Sequence, residues 1–265
     1  MNKLTIAIPT YNRWSSVCKL ISEIINEGLL EIVNIIVIDD GSSDQTYQSL
    51  QKFMGITNLK LLSNENNKGI AYTFLRLFEG CETDYLMIVA DDDMIFGEGV
   101  RNLMPFLERV SPDFVSTAWL GVDGKTMRTK NREEPIGWAD LRSASNHAPG
   151  LVYRVGATPL AIEIMKSRLS RGCYATSMYP QVVMVMLLSF SPYSSSWWSP
   201  VITGGYRPSG PRLSQLVDSS GDSYFSVSGI WQEQLAFCDL YDYIISIWTC
   251  RNLIIQHCLI HWLKR

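Results

Sequence analysis

Short apolar runs alternate with amphipathic segments along the first half of the chain, and this alternation is what most constrains its fold. Runs of strand length lie at residues 4–8, 33–38, 59–62, 85–90 and 114–117. The segments between them carry apolar residues at helical spacing, as residues 17–25 do. Strands separated by helices favour parallel pairing with right-handed crossovers. We therefore predict an α/β fold with a mostly parallel central sheet flanked by helices, and a first strand that stops at Pro9.

The composition excludes several classes of protein. The chain has 265 residues, a net charge of −3 and a sequence pI of about 5.7, so no basic field attracts nucleic acid, which we exclude as a partner. Its six cysteines form no C-x-x-C pair, which suggests a reducing compartment. We find neither a signal peptide nor a long apolar run, and therefore expect a cytoplasmic protein.

Polar clusters follow three of the predicted strands, at residues 10–13, 39–44 and 91–93. Because parallel strands end at one edge of a sheet, these clusters should converge on one crevice. The third cluster is Asp91, Asp92 and Asp93, and adjacent carboxylates repel each other unless a cation or shared protons hold them together. Mg²⁺ and Mn²⁺ prefer oxygen ligands and often bridge to phosphates. The acids therefore predict an Mn²⁺ or Mg²⁺ site, and the alternative is a solvated acidic turn that starts a helix.

Two common phosphate-binding motifs are missing after the first strand. The residues that follow it are Thr10, Tyr11 and Asn12, so no G-x-G-x-x-G motif stands there, and the chain contains no P-loop. The sequence therefore disfavours a dinucleotide-binding enzyme, a P-loop enzyme and a nucleotidyltransferase.

Four segments together resemble the family 2 glycosyltransferases of the GT-A fold. They are residues 8–13, 37–44, 66–71 and 91–93, whose order and spacing match the family over residues 1–120. The resemblance is closest to transferases of bacterial surface polysaccharide, including the abequosyltransferase-like group of O-antigen synthesis. It implies a glycosyltransferase that moves a hexose-type sugar from a nucleotide-diphosphate sugar to a glycan hydroxyl.

The resemblance also implies nucleotide-binding and metal-binding residues. Thr10 and Tyr11 would line the nucleotide pocket, and Asp39 or Asp40 would accept a hydrogen bond from the base, as a carboxylate can from a pyrimidine imide. Lys68 or Arg13 would add positive charge, although each also suits a solvated surface. The implied nucleotide-binding set is Pro9, Thr10, Tyr11, Arg13, Asp39, Asp40, Lys68, Gly69, Asp91 and Asp92, and the implied metal set is Asp91, Asp92 and Asp93.

The middle of the chain departs from the family pattern. Residues 146–154 resemble the segment beside the donor sugar, so we assign Gly150, Tyr153, Arg154 and Tyr179 to the donor or acceptor sugar. Inverting members carry an acidic pair at the start of a following helix, whereas residues 177–181 here contain no carboxylate.

The missing pair leaves the catalytic base to other residues. His147 and Asp140 are the nearest candidates in the sequence. If His147 accepts the acceptor's proton, activity should fall below a pKa of roughly 6 to 7. His147 is equally consistent with the role of a hydrogen-bonded structural histidine.

These observations lead to two functional hypotheses. In the first, the donor carries UDP, with GDP, CDP or dTDP as alternatives, and the acceptor is a surface-polysaccharide glycan (O-antigen or capsule) on a lipid-linked intermediate. In the second, the chain is a non-catalytic sugar- or nucleotide-binding module that keeps the fold but has lost its base. Three adjacent acids favour the first hypothesis, because a chain that needs no metal has no reason to hold them.

We divide the chain at residue 200. Residues 1–200 form the GT-A domain, with a nucleotide-sugar part at 1–120 and an acceptor part at 121–200, and residues 201–265 form a flexible loop and a C-terminal helical extension. Residues 204–229 suit a lid whose Arg207 and Arg212 reach the diphosphate, or a plain linker. Residues 241–263 suit a helix at the inner face of the cytoplasmic membrane, or one packed on the domain.

Overall fold

The chain folds into a single ten-stranded sheet with helices on both faces. The structure is a computed structural model that describes residues 2–128, 130–189, 194–207 and 234–246. The strands are β1 (Leu4–Thr10), β2 (Val33–Asp39), β3 (Leu59–Ser63), β4 (Tyr85–Ile88), β5 (Asp93–Ile95), β6 (Phe114–Leu120), β7 (Thr126–Met127), β8 (Glu134–Pro135), β9 (Leu151–Arg154) and β10 (Ser196–Tyr206). The helices are α1 (Trp14–Asn26), α2 (Thr46–Leu50), α3 (Ile70–Gly80), α4 (Gly97–Val110), α5 (Leu141–Ser145), α6 (Pro159–Ser170), α7 (Tyr174–Met178) and α8 (Pro180–Leu188), and residues 234–246 are also helical.

The order of the strands in the sheet is β3-β2-β1-β4-β9-β6-β10-β5, with β7 on β6 and β8 on β10. The strands β3, β2, β1 and β4 are parallel, and so are β6 and β10. Antiparallel β9 separates these two groups, because it pairs with both β4 and β6. The predicted α/β class with a mostly parallel sheet is therefore confirmed.

All five predicted strands end at other residues than predicted, and the ends of β1 and β4 differ by two residues each beside the acids. β1 continues through Pro9 to Thr10, which pairs with Asp39. Successive residues of β1 direct their backbone groups alternately to β2 and β4. The carbonyl of Ala7 accepts a hydrogen bond from Val89 N on the β4 side, and the carbonyl of Thr10 accepts one from Asp40 N on the β2 side. Pro9 faces the side on which β4 has already ended, so its missing N–H costs no hydrogen bond. β4 itself ends at residue 88 rather than 90.

The sheet is buried on both faces, which explains the continuous apolar runs. Ile36 and Ile38 of β2 belong to the core under α3 and α8, whereas Ile35 and Val37 belong to the core under α1 and α4. Neighbouring apolar residues of β2 therefore belong to opposite cores.

Residues 234–246 pack on the first of these cores. Phe237 is buried, and the buried Arg168 of α6 donates to Asp239 at 2.6 Å and lies over the ring of Tyr243 at 4.6 Å. The packed alternative is therefore correct for residues 241–246, while residues 247–263 lie outside the described residues. In the described part of the chain, no helix is both long and apolar enough to cross a membrane.

The predicted domain boundary at residue 200 is wrong. It falls inside β10, which continues to Tyr206 and pairs there with β5. The glycines of this stretch predict a loop, whereas Gly204 lets the strand pass close to the Trp119 ring, 2.5 Å from where a Cβ would lie. The predicted loop at 204–229 is therefore a strand up to Tyr206, and residues 208–229, with Arg212, lie outside the described residues.

Candidate active site

The carboxyl ends of β1, β2 and β4 meet at one edge of the sheet, as the order of the strands requires. Thr10 is the last residue of β1 and lies in register with Asp39, the last residue of β2. Its hydroxyl donates to Asp91 Oδ2 at 2.6 Å, which ties β1 to the acids that follow β4. Three clusters that are far apart in the sequence therefore form one site.

The turn after β1 fixes Arg13 beside the acids. Asn12 adopts a left-handed conformation (φ 52°), and its side-chain oxygen accepts from Ser43 N at 2.9 Å. Arg13 N donates to Thr46 Oγ1 at 3.0 Å, so the backbone on both sides is held to the loop after β2. The Arg13 guanidinium then donates to Asp91 Oδ1 at 3.1 Å and Asp92 Oδ2 at 2.7 Å.

The acid cluster carries more negative charge than its surroundings neutralise. Asp91 and Asp93 are only 4% and 2% exposed, so the solvated acidic turn is excluded. Burial raises the pKa of Asp91 to about 6 despite the pairing with Arg13. Burial and the two neighbouring carboxylates raise the pKa of Asp93 to about 8.

The acids provide only part of a metal site. Asp93 Oδ2 is buried and has no hydrogen-bond partner among the described residues. Within those residues, no three Asp, Glu, His or Cys side chains are placed to hold an ion by themselves. Mg²⁺ often uses only one or two carboxylates and takes its other ligands from water and substrate phosphates. Asp93 fits that mode of binding.

Asp39 and Asp40 have different surroundings. The Asp39 carboxylate accepts hydrogen bonds from the backbone and the hydroxyl of Ser42, and burial raises its pKa. Asp40 accepts from Asn64 Nδ2 at 2.6 Å and from the backbone N–H groups of Lys68 and Gly69, each at 2.9 Å. Asp40 therefore holds the segment that leads into α3.

A cavity of about 380 Å³ opens between the end of β1 and the start of α3. Its lining residues are Pro9, Thr10, Tyr11, Arg13, Asp40, Asn67, Gly69, Ile70, Thr73, Ala90 and Asp91. Seven of the predicted nucleotide-binding residues line it, whereas Asp39, Asp92 and the exposed Lys68 do not. Asn67, Ile70 and Thr73 were missed because nothing in their local pattern separates a cavity wall from the first turn of a helix.

Comparison with known proteins gives the family. A sequence model described as Glycosyl transferase family 2 matches residues 5–164, more than half of the chain. The chain belongs to glycosyl transferase family 2. This match covers all three strand-end clusters and the segment that contains His147 and Gly150.

The relatives of this family 2 chain include two enzymes of different function. Poly(ribitol-phosphate) beta-N-acetylglucosaminyltransferase TarS of Staphylococcus aureus is 27% identical over 130 residues, which are 47% of this chain and 22% of that one. Dolichol-phosphate mannosyltransferase of Pyrococcus furiosus is 31% identical over 94 residues, 35% of this chain and 26% of that one. The chain thus matches about a quarter or less of the length of each.

Solved structures show the same fold. The structure of S. aureus TarS residues 1–349 in complex with UDP-GlcNAc has a TM-score of 0.60 at 19% identity, over 84% of this chain and 63% of that one. The same protein in complex with UDP has a TM-score of 0.55 at 20% identity, over 77% and 60%. The expected GT-A-type fold is therefore confirmed.

The assignment of Arg154 to a sugar is wrong. Arg154 pairs with Tyr85 at the start of β4, whereas the acids follow the end of that strand. Its guanidinium binds the Asp113 carboxylate, with Nε at 2.9 Å, at the opposite edge of the sheet. Since β9 is antiparallel to its neighbours, only its first residues reach the site.

The assignment of Tyr153 is also wrong, because its side chain is a core residue. It is fully buried, and its ring contacts those of Phe74, Phe78 and Phe114. Tyr179, which we also assigned to a sugar, packs on Phe237 of the helical layer at 5.5 Å between ring centroids.

Gly150 lies beside the end of β4, the strand that leads to the acids, and makes the close backbone approach that we predict. It precedes β9, donates to the carbonyl of Ile88 at 2.9 Å and has a φ of +76°. A Cβ there would lie 2.7 Å from both Thr117 Oγ1 and the Trp119 ring. Only glycine therefore fits between β4, β6 and this turn.

The two candidates for the base lie at different edges of the sheet. Asp140 is exposed at the start of α5, and its neighbours Trp138 and Leu141 line a separate cavity with Ser195 and Trp197, at the start of β10. Asp93 pairs with Tyr206 at the other end of that strand, roughly 30 Å away at 3.3 Å per residue. The structure therefore removes Asp140 from the site.

His147 lies near the acids, and its ring stacks on that of Tyr206 at 4.8 Å between centroids. Burial, reinforced by the charge of Arg128, lowers the pKa of His147 to about 3. This value does not match the pKa of roughly 6 to 7 expected if His147 were the base, and the sequence does not show that the ring is enclosed. His147 stays a neutral imidazole above that value.

Proposed function

We propose that the chain transfers a sugar from a nucleotide-diphosphate sugar to a hydroxyl of an acceptor glycan. The observation that carries this proposal is a nucleotide-sized cavity that shares Asp91 with a buried cluster of acids. A nucleotide in the cavity would bring its diphosphate, with a cation, to the buried Asp93 carboxyl group, whose Oδ2 has no hydrogen-bond partner among the described residues. The likeness of the fold to TarS in complex with UDP-GlcNAc supports this arrangement.

The residues of the cavity suit a base and a ribose. Tyr11 is 40% exposed and offers a ring face, and Asp40 lines the same cavity. Asp40 Oδ2 accepts one hydrogen bond, from Gly69, and so can accept a second from a base N–H. We therefore favour Asp40 over Asp39 for the base and UDP as the nucleotide, with GDP, CDP and dTDP as the alternatives.

Mn²⁺ or Mg²⁺ is the cofactor that the acids suit. Asp93 would hold the cation, with Asp91 or Asp92 as a further ligand once Arg13 releases it, and the bound cation would neutralise the leaving diphosphate. Arg13 holds Asp91 and Asp92 together and can contribute a charge-assisted hydrogen bond to a phosphate.

The acceptor is proposed from the resemblance alone. We propose a glycan of a surface polysaccharide, such as O-antigen or capsule, on a lipid-linked intermediate, and with it a peripheral position at the inner face of the cytoplasmic membrane. Residues 177–181 provide no carboxylate to remove the proton of the acceptor.

This missing carboxylate favours a second function, a non-catalytic module that binds a nucleotide or a sugar. Gln181 stands at the start of α8 where inverting members of the family would carry an acid, and it is 8% exposed. The second function keeps the cavity and the acids but predicts no turnover.

A donor screen separates the two functions. The chain is incubated with UDP-, GDP-, CDP- and dTDP-sugars, each with Mn²⁺, Mg²⁺ or a chelator, and free nucleoside diphosphate is measured. We expect cation-dependent release from one nucleotide class, since water can attack the donor slowly in place of the acceptor hydroxyl. Binding of that class without any release, with acceptor glycans present, would favour the module.

A further inference from the structure

Arg128 is buried beside the proposed donor site although no nucleotide-binding or metal motif contains it. It follows β7, which pairs with the end of β6. Its Nη1 donates to the carbonyl of His147 at 3.0 Å, and its Nη2 donates to the carbonyl of Pro149 at 2.5 Å. One guanidinium therefore fixes residues 147–150, the segment that ends in Gly150.

This segment lies against the acid cluster through several contacts. The ring of His147 stacks on Tyr206, which pairs with Asp93, and Gly150 donates to the last residue of β4. The charge of Arg128 helps to lower the pKa of His147, and Asp93 in turn raises the pKa of Arg128 against the larger effect of burial.

Three buried polar atoms of this group have no hydrogen-bond partner among the described residues. They are Asp93 Oδ2, Arg128 Nε and His147 Nε2. A buried polar group without a partner is costly, so such groups are usually satisfied by water or by a ligand. Asp93 Oδ2 is an acceptor in the charged form, Arg128 Nε is a donor, and His147 Nε2 of a neutral ring is one or the other, so a sugar with several hydroxyls has the groups to satisfy all three.

We propose that Arg128 is a positioning residue that holds residues 147–150 as the wall of the donor-sugar subsite, and that His147 Nε2 in this wall hydrogen-bonds a sugar hydroxyl. This proposal rests on the proposed function. It assigns His147 to recognition of the donor sugar rather than to proton transfer. The planar guanidinium of Arg128 is essential, because the carbonyls of His147 and Pro149 need two donors at a fixed spacing.

The test compares the affinity for a nucleoside diphosphate with the affinity for the matching nucleotide sugar. The nucleotide sugar is the one that the wild type consumes fastest in the donor screen, and the diphosphate is its product. The variants are Arg128→Lys, Arg128→Met and His147→Phe, which keeps a ring to stack on Tyr206. Arg154→Met is the matched control, since it removes another paired arginine at the opposite edge of the sheet.

We expect all variants to bind the diphosphate within about twofold of the wild type. Arg128→Lys, Arg128→Met and His147→Phe should each bind the nucleotide sugar at least tenfold more weakly, and Arg154→Met should not. Because the single ammonium nitrogen of lysine cannot take the positions of both Nη1 and Nη2, Arg128→Lys should fail to rescue. Thermal unfolding of each variant shows that the comparison is made on folded protein.

Several results would overturn the inference. Rescue by Arg128→Lys would mean that only the charge matters. A parallel loss of affinity for the diphosphate and the sugar would mean that Arg128 supports the fold as a whole, and unchanged affinities would mean that it has no role here. If the wild type neither binds nor consumes any nucleotide sugar, the proposed function fails, and the inference fails with it.

Discussion

Residues 1–120 and residues 121–200 place their site residues in different ways. In the first region, the polar clusters follow parallel strands, and Thr10, Asp40 and Asp91 all reach one cavity. In the second, the predicted residues spread over both edges of the sheet and its core, with Gly150 at the site, Arg154 at the far edge and Tyr153 buried.

The difference follows from the direction of the strands. A residue after a parallel strand reaches the binding edge whatever the details of packing, so its position can be read from the sequence. β9 runs the opposite way, so that its first residue is at the site and its last is not. The contribution of the second region therefore depends on contacts across the sheet, such as those of Arg128.

The largest effect should come from the first region. Asp93→Asn removes the buried carboxylate whose Oδ2 has no hydrogen-bond partner among the described residues, and turnover should fall roughly a hundredfold or more, the scale for loss of preorganised charge. Burial and the carboxylates of Asp91 and Asp92 disfavour the charged form of Asp93. The variant should therefore unfold at the same temperature as the metal-free wild type or at a higher one. Steady-state kinetics and thermal unfolding measure both effects.

Glu82→Gln serves as the matched control, because Glu82 forms an exposed ion pair with Lys60 far from the cavity. Wild-type turnover in Asp93→Asn would show that the acids have no part in the reaction.

A smaller effect is expected at Asp40, which lines the cavity. Asp40→Asn replaces a carboxylate oxygen with an amide N–H₂ opposite the backbone N–H groups of Lys68 and Gly69. A buried N–H that loses its acceptor costs about 1–3 kcal/mol. Nucleotide affinity should fall roughly tenfold, as 1.4 kcal/mol implies.

Titration calorimetry measures this affinity, and Asp123→Asn, in an exposed turn, is the control. Equal affinities in both variants would show that the segment before α3 does not shape the cavity.

The smallest effect concerns pH and the second region. Because the pKa of His147 is about 3, the ring stays neutral between pH 5 and 8, and kcat/KM should show no limb that depends on it. The unfolded chain keeps an ordinary histidine pKa and gains a proton as pH falls below about 6.5, so the stability of the folded state should decrease from there towards pH 3.

His147→Phe tests both statements, since it should leave the shape of the pH profile unchanged and reduce the loss of stability in acid. An acid limb at pH 6 to 7 that disappears in this variant would restore His147 as the catalytic base.

The sequence predicts those parts of the molecule that local patterns determine. Alternating apolar runs and helical periodicity give the α/β class, and polar residues after parallel strands give the nucleotide site. It does not predict the extension of β1 through Pro9, which depends on where β4 ends, or the low pKa of His147, which depends on enclosure by Arg128 and Tyr206. These are properties of contacts between distant segments.

Calorimetric titration with nucleoside diphosphates, with and without Mn²⁺, tests the central claim most directly. If a nucleotide in the cavity brings its diphosphate to the acids, one of UDP, GDP, CDP and dTDP should bind at least tenfold more tightly with Mn²⁺, and Asp93→Asn should lose this gain. Equal affinities for all four, with and without the cation, would contradict the account.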